Sequence, residues 1–416
     1  MLLAGDAETC AAWLAGSEWR VSIVPMISRA QDAVADGGLA TPGARAVTLA
    51  TVTPLASIFG SGFLIIIPIL ERELGALAAV GMAGVCLVAW MVGIAVRHNV
   101  AVAEPLAAAD RLDPTTSRID RASDLVIVVA YVISVALYLR ILALFVVGYV
   151  STGSGVSERL LAVSLVALIT AVGLVRGLAG LELLERLALG AVLLLVLAIG
   201  AAFAGNDASQ LLGGGLRLPP APRPGLVSVL LVLGGIVITV QGFETVRYLQ
   251  HIDRQARIAG CRVSQLISSF VYILVVALAT PLMGLGTRSG ADRGLLELVQ
   301  RVAPLLALPL VLCAVLSQFS AATADTEAGV GNLRVIGWAP LRGRRRYLLV
   351  GGAGAVLAAT LGTSVIIVVA SRAFAAYYAL QCVVALRTSN RARTRIGYGV
   401  LALVMVAITL LAEPAQ

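Results

Sequence analysis

Long uninterrupted apolar runs, not strict alternation of apolar and polar positions, dominate the chain. Alternation would mark half-buried strands or a membrane β-barrel. Apolar runs of ~20 residues are long enough to cross a bilayer as helices. They predict an all-α polytopic membrane protein with about eleven spans. The spans lie near 46–70, 75–96, 124–150, 160–175, 184–203, 226–249, 263–285, 302–333, 347–361, 363–386 and 398–411. Between them lie a polar loop at 97–123 containing Asp113-Pro114, and a Gly/Pro-rich connector at 205–225 containing Pro219, Pro220 and Pro222. Such composition marks a loop. Residues 1–45 read as an amino-terminal tail. No basic stretch precedes a clean apolar segment there, which argues against a secretory signal. The tail is either poorly ordered or a short interfacial helix on Trp13, Leu14, Trp19, Val21 and Val24, ended by Pro25.

Two of the runs are interrupted. The first holds Gly60-Ser61-Gly62 within LASIFGSGFLIIIP, and the sixth holds Val240-Gln241-Gly242-Phe243-Glu244-Thr245. Glycine loses most backbone freedom on ordering, and serine offers the backbone competing hydrogen bonds, so both stretches weaken a helix. In lipid, a loosened backbone is tolerated only where it faces protein or a water-filled cavity. Broken spans at corresponding places in two halves point to a transporter binding site.

Composition supports the membrane reading. The chain is 59% hydrophobic and 13% charged, with mean hydropathy +0.96, against about half apolar and a quarter charged in soluble proteins. All 31 basic residues are arginines, and the net charge is +8. Eighteen loop arginines follow even-numbered spans, including Arg344, Arg345 and Arg346, and seven follow odd-numbered ones. Positive charge marks the cytoplasmic side. The amino terminus is therefore expected in the cytoplasm, with the protein in the cell (inner) membrane. The basic balance is accounted for by topology, so no nucleic-acid partner is expected. Cys10, Cys86, Cys261, Cys313 and Cys382 show no metal spacing and read as soft core residues. His98 and His251 fall in predicted loops. No metal or cofactor site is expected.

Spans one to five (46–204) and six to ten (226–386) occupy similar lengths, with 387–416 adding a loop and an eleventh span. An odd number of spans per half forces opposite orientations, the logic of an inverted repeat. At this point the chain resembles the amino acid–polyamine–organocation (APC) superfamily of secondary transporters. Phe59-Gly60-Ser61-Gly62-Phe63 is similar to the Gly-Ser-Gly-Ile-Phe element of the first span in amino-acid permeases. Gly242-Phe243-Glu244 is similar to the Gly-Phe-Glu element of their sixth. The resemblance implies a five-plus-five inverted repeat of the LeuT type, with discontinuous helices 1 and 6. It also implies cation-coupled transport of an amino acid or related small organic solute. A polyamine or nucleobase-like substrate is the alternative within that fold. A membrane sensor or enzyme is the alternative outside it, but only Asp325 lies deep enough to serve an aspartyl protease, which needs two such residues.

The breaks supply the candidate substrate contacts. Free amides at Gly60, Ser61, Gly62 and Phe63 would favour an anionic group at the start of a half-helix; the resemblance places a substrate carboxylate there. The competing reading is close helix approach through small residues. Carbonyls of Val240, Gln241 and Gly242 would accept from an ammonium. Phe243 is either an aromatic gate or ordinary packing. Glu244, an ionisable residue inside a span, is a functional candidate by default; it carries a proton, ties the break to its neighbours, or pairs with Arg247. In the eighth span Ser317, Ser320 and Thr323 share a face. With Asp325 they suit Na+ or H+ as the coupling ion, or serve as interhelical hydrogen-bond partners. Asp325 could instead pair with Arg45 or Arg334. Arg140 and Arg372 are expected to line an outer vestibule or bond to carbonyls. Tyr131 and Tyr138 read as packed residues with hydrogen-bonded hydroxyls.

Overall fold

The architecture follows from which helices are continuous and which are not. The computed structural model describes residues 43–62, 64–150, 155–178, 182–216, 218–220, 225–283, 294–336 and 343–414. The proposed amino-terminal interfacial helix and Phe63 lie outside these. Every regular element among the described residues is helical. Eight helices, counting the stretch Ile66–Ala108 as one, are long and apolar enough to cross a membrane.

The first apolar run forms two helices, α1 (Ala44–Ser61) and α2 (Ile66–Leu74), separated at Gly62. Next comes α3 (Ala78–His98), which continues through a π-helical turn (Asn99–Ala103) to Ala108. The polar loop expected at 97–123 is thus mostly helix. Polar side chains there turn inward and find partners: Arg97 and Asn99 are buried, the Arg97 guanidinium lies 4.7 Å from the Trp90 ring centroid, and Asn99 Nδ2 donates to Gln381 Oε1 at 2.7 Å. His98 therefore stands in a helix and not in a loop, with Nε2 3.1 Å from the Thr388 hydroxyl. Asp113 caps α4 (Pro114–Val150), accepting from the amides of Thr115 and Thr116 at 3.0 and 3.1 Å. Proline at the first helical position needs no amide partner, which is why Asp-Pro starts the helix here. The Thr116 hydroxyl and amide, followed by Arg387, hold the Asp113 carboxyl down at about 2.

Helices α5 (Gly155–Val175) and α6 (Glu182–Leu212) follow; α6 runs past the expected start of the connector. The second interrupted run forms α7 (Leu226–Gly235) and two 3-10 turns, Val237–Val240 and Phe243–Arg247. Asp253 caps α8 (Arg254–Ala279) by accepting from the Ala256 amide at 3.0 Å, so this helix starts nine residues before the apolar run does. The chain continues with α9 (Gly294–Val302), α10 (Ala307–Val335), α11 (Arg346–Thr360), α12 (Thr363–Thr388) and α13 (Ala392–Leu411).

Helix α4 is the central column. In its most apolar window 78% of residues are buried, against 22% in α13 and 28% in α5, which lie at the periphery. It packs most heavily on α10 and α12, while α8 packs on α1 and α3. Leu194, Leu197, Phe270 and Leu403 are exposed on the outer faces. On a membrane protein such faces meet lipid tails and need no protein partner. Cys86, Cys261, Cys313 and Cys382 are buried free thiols.

Candidate functional site

The two breaks lean on each other. A Cβ added at Gly62 would stand 2.3 Å from Thr239 Cβ, and one added at Gly242 would stand 2.6 Å from Ser57 Oγ and 2.8 Å from the Ile58 nitrogen. Gly242 also has φ +126, a backbone conformation that only glycine adopts easily. The chain can therefore loosen in both spans because each loosened stretch fills against the other.

The backbone groups freed by each break are satisfied from neighbouring helices, as buried polar groups must be. The Gly60 carbonyl accepts from Gln318 Nε2 at 2.7 Å, and the Ile58 carbonyl from the Tyr272 hydroxyl at 3.0 Å. At the second break the Gly242 amide donates to Glu244 Oε2 at 2.9 Å, and the Tyr378 hydroxyl donates to the same oxygen at 2.6 Å. The Ser371 hydroxyl donates to the Gly235 carbonyl at 2.7 Å. An aromatic stack flanks each break: Phe59 on Tyr272 at 5.6 Å and Phe243 on Tyr378 at 5.2 Å.

Glu244 is fully buried and ties the break to α12, while Arg247 turns elsewhere. Arg247 Nη2 reaches Asp120 at 3.0 Å, with Glu104 3.9 Å away, and Arg257 Nη2 reaches Glu104 at 2.7 Å. Arg257 Nη1 also donates to the Val246 carbonyl at 3.1 Å. Two Arg247–carboxylate contacts and one backbone bond thus fasten the segment after the second break to α4, to the tail of α3 and to α8, and the Arg257–Glu104 pair ties the last two together.

A cavity of about 440 Å³ opens beside the first break. It is bounded by α1 from Thr53 to Gly60, by α6, by α10 from Ser317 to Gly331, by Tyr131 of α4, and by Thr245, Tyr248 and Leu249 after the second break. Of the residues singled out in sequence, Gly60, Tyr131, Ser317, Ser320, Thr323 and Asp325 line it. The Thr323 hydroxyl donates to the Ser320 carbonyl at 2.8 Å, leaving its oxygen able to accept. Asp325 faces the hydroxyls of Ser134 and Tyr138, and neither Arg45 nor Arg334 is its hydrogen-bond partner; its Oδ2 has no partner among the described residues. Val240, Gln241, Gly242, Phe243 and Glu244 are buried and do not line the cavity. Gln241 Nε2 donates to the Tyr138 hydroxyl at 3.4 Å. Gly62 is buried against Thr239, and Ser61 ends α1.

A family model described as APC superfamily transporter matches residues 43–412, almost all of the described chain. The chain belongs to the APC superfamily of transporters. It is also 33% identical over 373 residues to an uncharacterised protein of Aquifex aeolicus (strain VF5), covering 88% of this chain and 90% of that one. In this APC transporter the cavity adds residues that sequence reasoning missed. Glu327 faces it seven residues after Ser320, on the face that already carries Ser317 and Ser320. Extending that stripe by two more turns would have found it. Glu185 enters from the start of α6, and nothing in the local pattern distinguishes it from a solvated helix end. Tyr131, expected to have its hydroxyl bonded, faces the cavity with that hydroxyl unpartnered among the described residues. Arg372 bonds to a carbonyl as expected, that of Ala412, with Nε at 3.1 Å.

Proposed function

We propose that this APC superfamily member is a secondary active transporter of an amino acid or related small organic solute. In this reading α1 with α2, α7 with its 3-10 turns, and α11 also cross the membrane, giving eleven crossings. Residues 46–204 and 226–386 are then the two inverted repeats, joined by an external connector and followed by the eleventh crossing. The observation that carries the reading is the cavity at the break of α1, walled by α10, α6 and the segment after the second break. Substrate sites of transporters form where discontinuous spans meet. The cavity lies against the half of α1 that leads from the amino terminus. Arginine asymmetry assigns that half to the cytoplasm, so the conformation is inward-facing. Solute binds beside Gly60. Ser320 and Thr323, with first-span carbonyls, hold a coupling cation, and Glu244 maintains the second break.

The test is uptake into proteoliposomes with Gly60→Leu. A Cβ at Gly60 already stands 2.9 Å from Ala321 Cβ, so a leucine fills the cavity edge. Transport is expected to disappear while the size-exclusion profile stays that of the folded protein. A folded variant that transports normally overturns the assignment. For the ion, Thr323→Val lowers sodium-dependent uptake if sodium is coupled. Uptake that ignores a sodium gradient and collapses with Asp325→Asn or Glu244→Gln assigns a proton instead.

A further inference from the structure

Arginines gather where α5 ends and α11 begins. Arg344, in the turn before α11, donates through Nη1 to the Val175 carbonyl and through Nη2 to the Arg176 carbonyl at 3.5 Å. It thereby caps the last turn of α5, where orphan carbonyls favour a cation. Arg345 and Arg346 follow it directly, and Arg176, Arg344 and Arg345 are exposed. Close packing fixes this corner. A Cβ added at Gly173 of α5 would stand 2.5 Å from the Tyr347 ring of α11, and one added at Gly351 would meet Thr170. The Tyr347 hydroxyl donates to Glu327 of α10 and accepts from the Leu178 amide at 3.4 Å. Among the described residues, Arg247, Arg257 and Arg387 each pair with a carboxylate, whereas Arg176, Arg344, Arg345 and Arg346 do not. Sequence explains the difference: no aspartate or glutamate occurs between Arg159 and Glu182, or between Glu327 and Glu413.

From these features we infer that the corner binds an anionic phospholipid of the adjoining leaflet, its phosphate held by Arg176, Arg345 and Arg346 and an acyl chain laid along α5. Guanidinium groups present a planar fork of donors that matches phosphate oxygens, and basic clusters at helix ends attract anionic headgroups. The apolar part is in place beside them. Leu168, Val172 and Val175 recur at i, i+4 and i+7 on α5 and are exposed, and so is Leu348 at the start of α11. Only 28% of the most apolar window of α5 is buried, so this helix meets lipid along most of its length. Membrane topology asks for arginines on one side of the bilayer. It does not ask that Arg176 be joined to Arg344, 168 positions away, in a corner without a paired acid. The inference goes beyond the reading of the cavity and needs only that α5 crosses the membrane.

The experiment is thermal unfolding of the purified full chain in an uncharged detergent with increasing dioleoyl phosphatidylglycerol. Dioleoyl phosphatidylcholine, which has the same chains without net charge, and inorganic phosphate are the comparisons. Phosphatidylglycerol is expected to raise the unfolding midpoint, and the other two to leave it unchanged. An arginine near an anionic membrane surface contributes about fivefold to the attraction. Arg176→Gln with Arg345→Gln is therefore expected to raise the lipid concentration for half the effect by roughly twenty-fivefold. Arg345→Gln alone is expected to raise it about fivefold, and carries the test if the double variant does not fold. Arg393→Gln with Arg395→Gln removes the same charge from exposed positions at the start of α13 and is expected to leave the lipid response intact. Equal stabilisation by phosphatidylcholine overturns the inference. Equal stabilisation by inorganic phosphate also overturns it and assigns the arginines to a free anion. Equal losses in the two double variants overturn it as well, because diffuse attraction then replaces a site. None of these measurements uses solute uptake, so the lipid site and the transporter reading stand or fall separately.

Discussion

Alanine at the two breaks measures how closely they depend on each other. At Gly242 two costs combine. Holding an L residue at φ +126 costs about 1–3 kcal/mol. The new Cβ also meets Ser57 Oγ at 2.6 Å and the Ile58 nitrogen at 2.8 Å. The hydroxyl can rotate away, but the nitrogen belongs to the α1 backbone, so the helix itself must shift. Overpacking of that kind costs about 1–3 kcal/mol. Together Gly242→Ala should lose roughly 2–6 kcal/mol. Gly62→Ala carries only the second cost, because its φ of −155 is ordinary extended backbone, but its contacts with Thr239 are closer, at 2.3 and 2.5 Å. Gly84, with nothing within 4 Å, is the control; alanine there should be neutral or stabilise by ~0.5–1 kcal/mol through helix propensity. Thermal unfolding in detergent reads the series. For a chain of this size a kcal/mol corresponds to on the order of 1–2 °C, so Gly242→Ala should unfold roughly 2–12 °C early. An unchanged midpoint with wild-type uptake would refute the mutual packing of the breaks.

Glu244→Gln should fold and unfold nearly as the parent does, since its amide oxygen can still accept from Gly242 and Tyr378, whereas Glu244→Leu strands both donors at about 1–3 kcal/mol each; similar midpoints for the two variants would remove Glu244 from the support of the break. Arg247→Met leaves Asp120 without its 3.0 Å partner and should cost about 3–5 kcal/mol, near the lower end because Arg257 still neutralises Glu104. Arg247→Met with Asp120→Leu should recover part of that loss in the same unfolding measurement, and a double variant worse than the sum of the singles would contradict the pairing. Cysteine at Arg344 should resist impermeant thiol labelling in intact cells and label after lysis, because arginine-rich loops stay in the cytoplasm. Ready labelling from outside would invert the topology.

Much of the architecture is legible in sequence, for a physical reason. A bilayer forces every backbone polar group to be satisfied within its own helix, so apolar length alone locates α4, α5, α6, α8, α10, α12 and α13, with ends that differ from the expected spans by up to about three turns. The same rule makes the exceptions conspicuous: Gly60-Ser61-Gly62 and Gln241-Gly242 stand out because broken helices are tolerated only where neighbours complete them. What sequence pattern does not carry is the identity of those neighbours. Gln318 reaches the Gly60 carbonyl from 258 positions away, and Tyr378 reaches Glu244 from 134. Polar positions mislead in the same way at 97–123, where Arg97 and Asn99 look like loop residues until Trp90, Gln265 and Gln381 supply their partners. The motif Gly242-Phe243-Glu244 marks the second break correctly as a break, yet its side chains point into packing and not into the cavity. The cavity's one-signed lining brings Glu185 of α6 together with Asp325 and Glu327 of α10, helices far apart in the chain. Local spacing determines which face of a helix a residue occupies; only the packing of helices decides which faces meet, and therefore where charge collects.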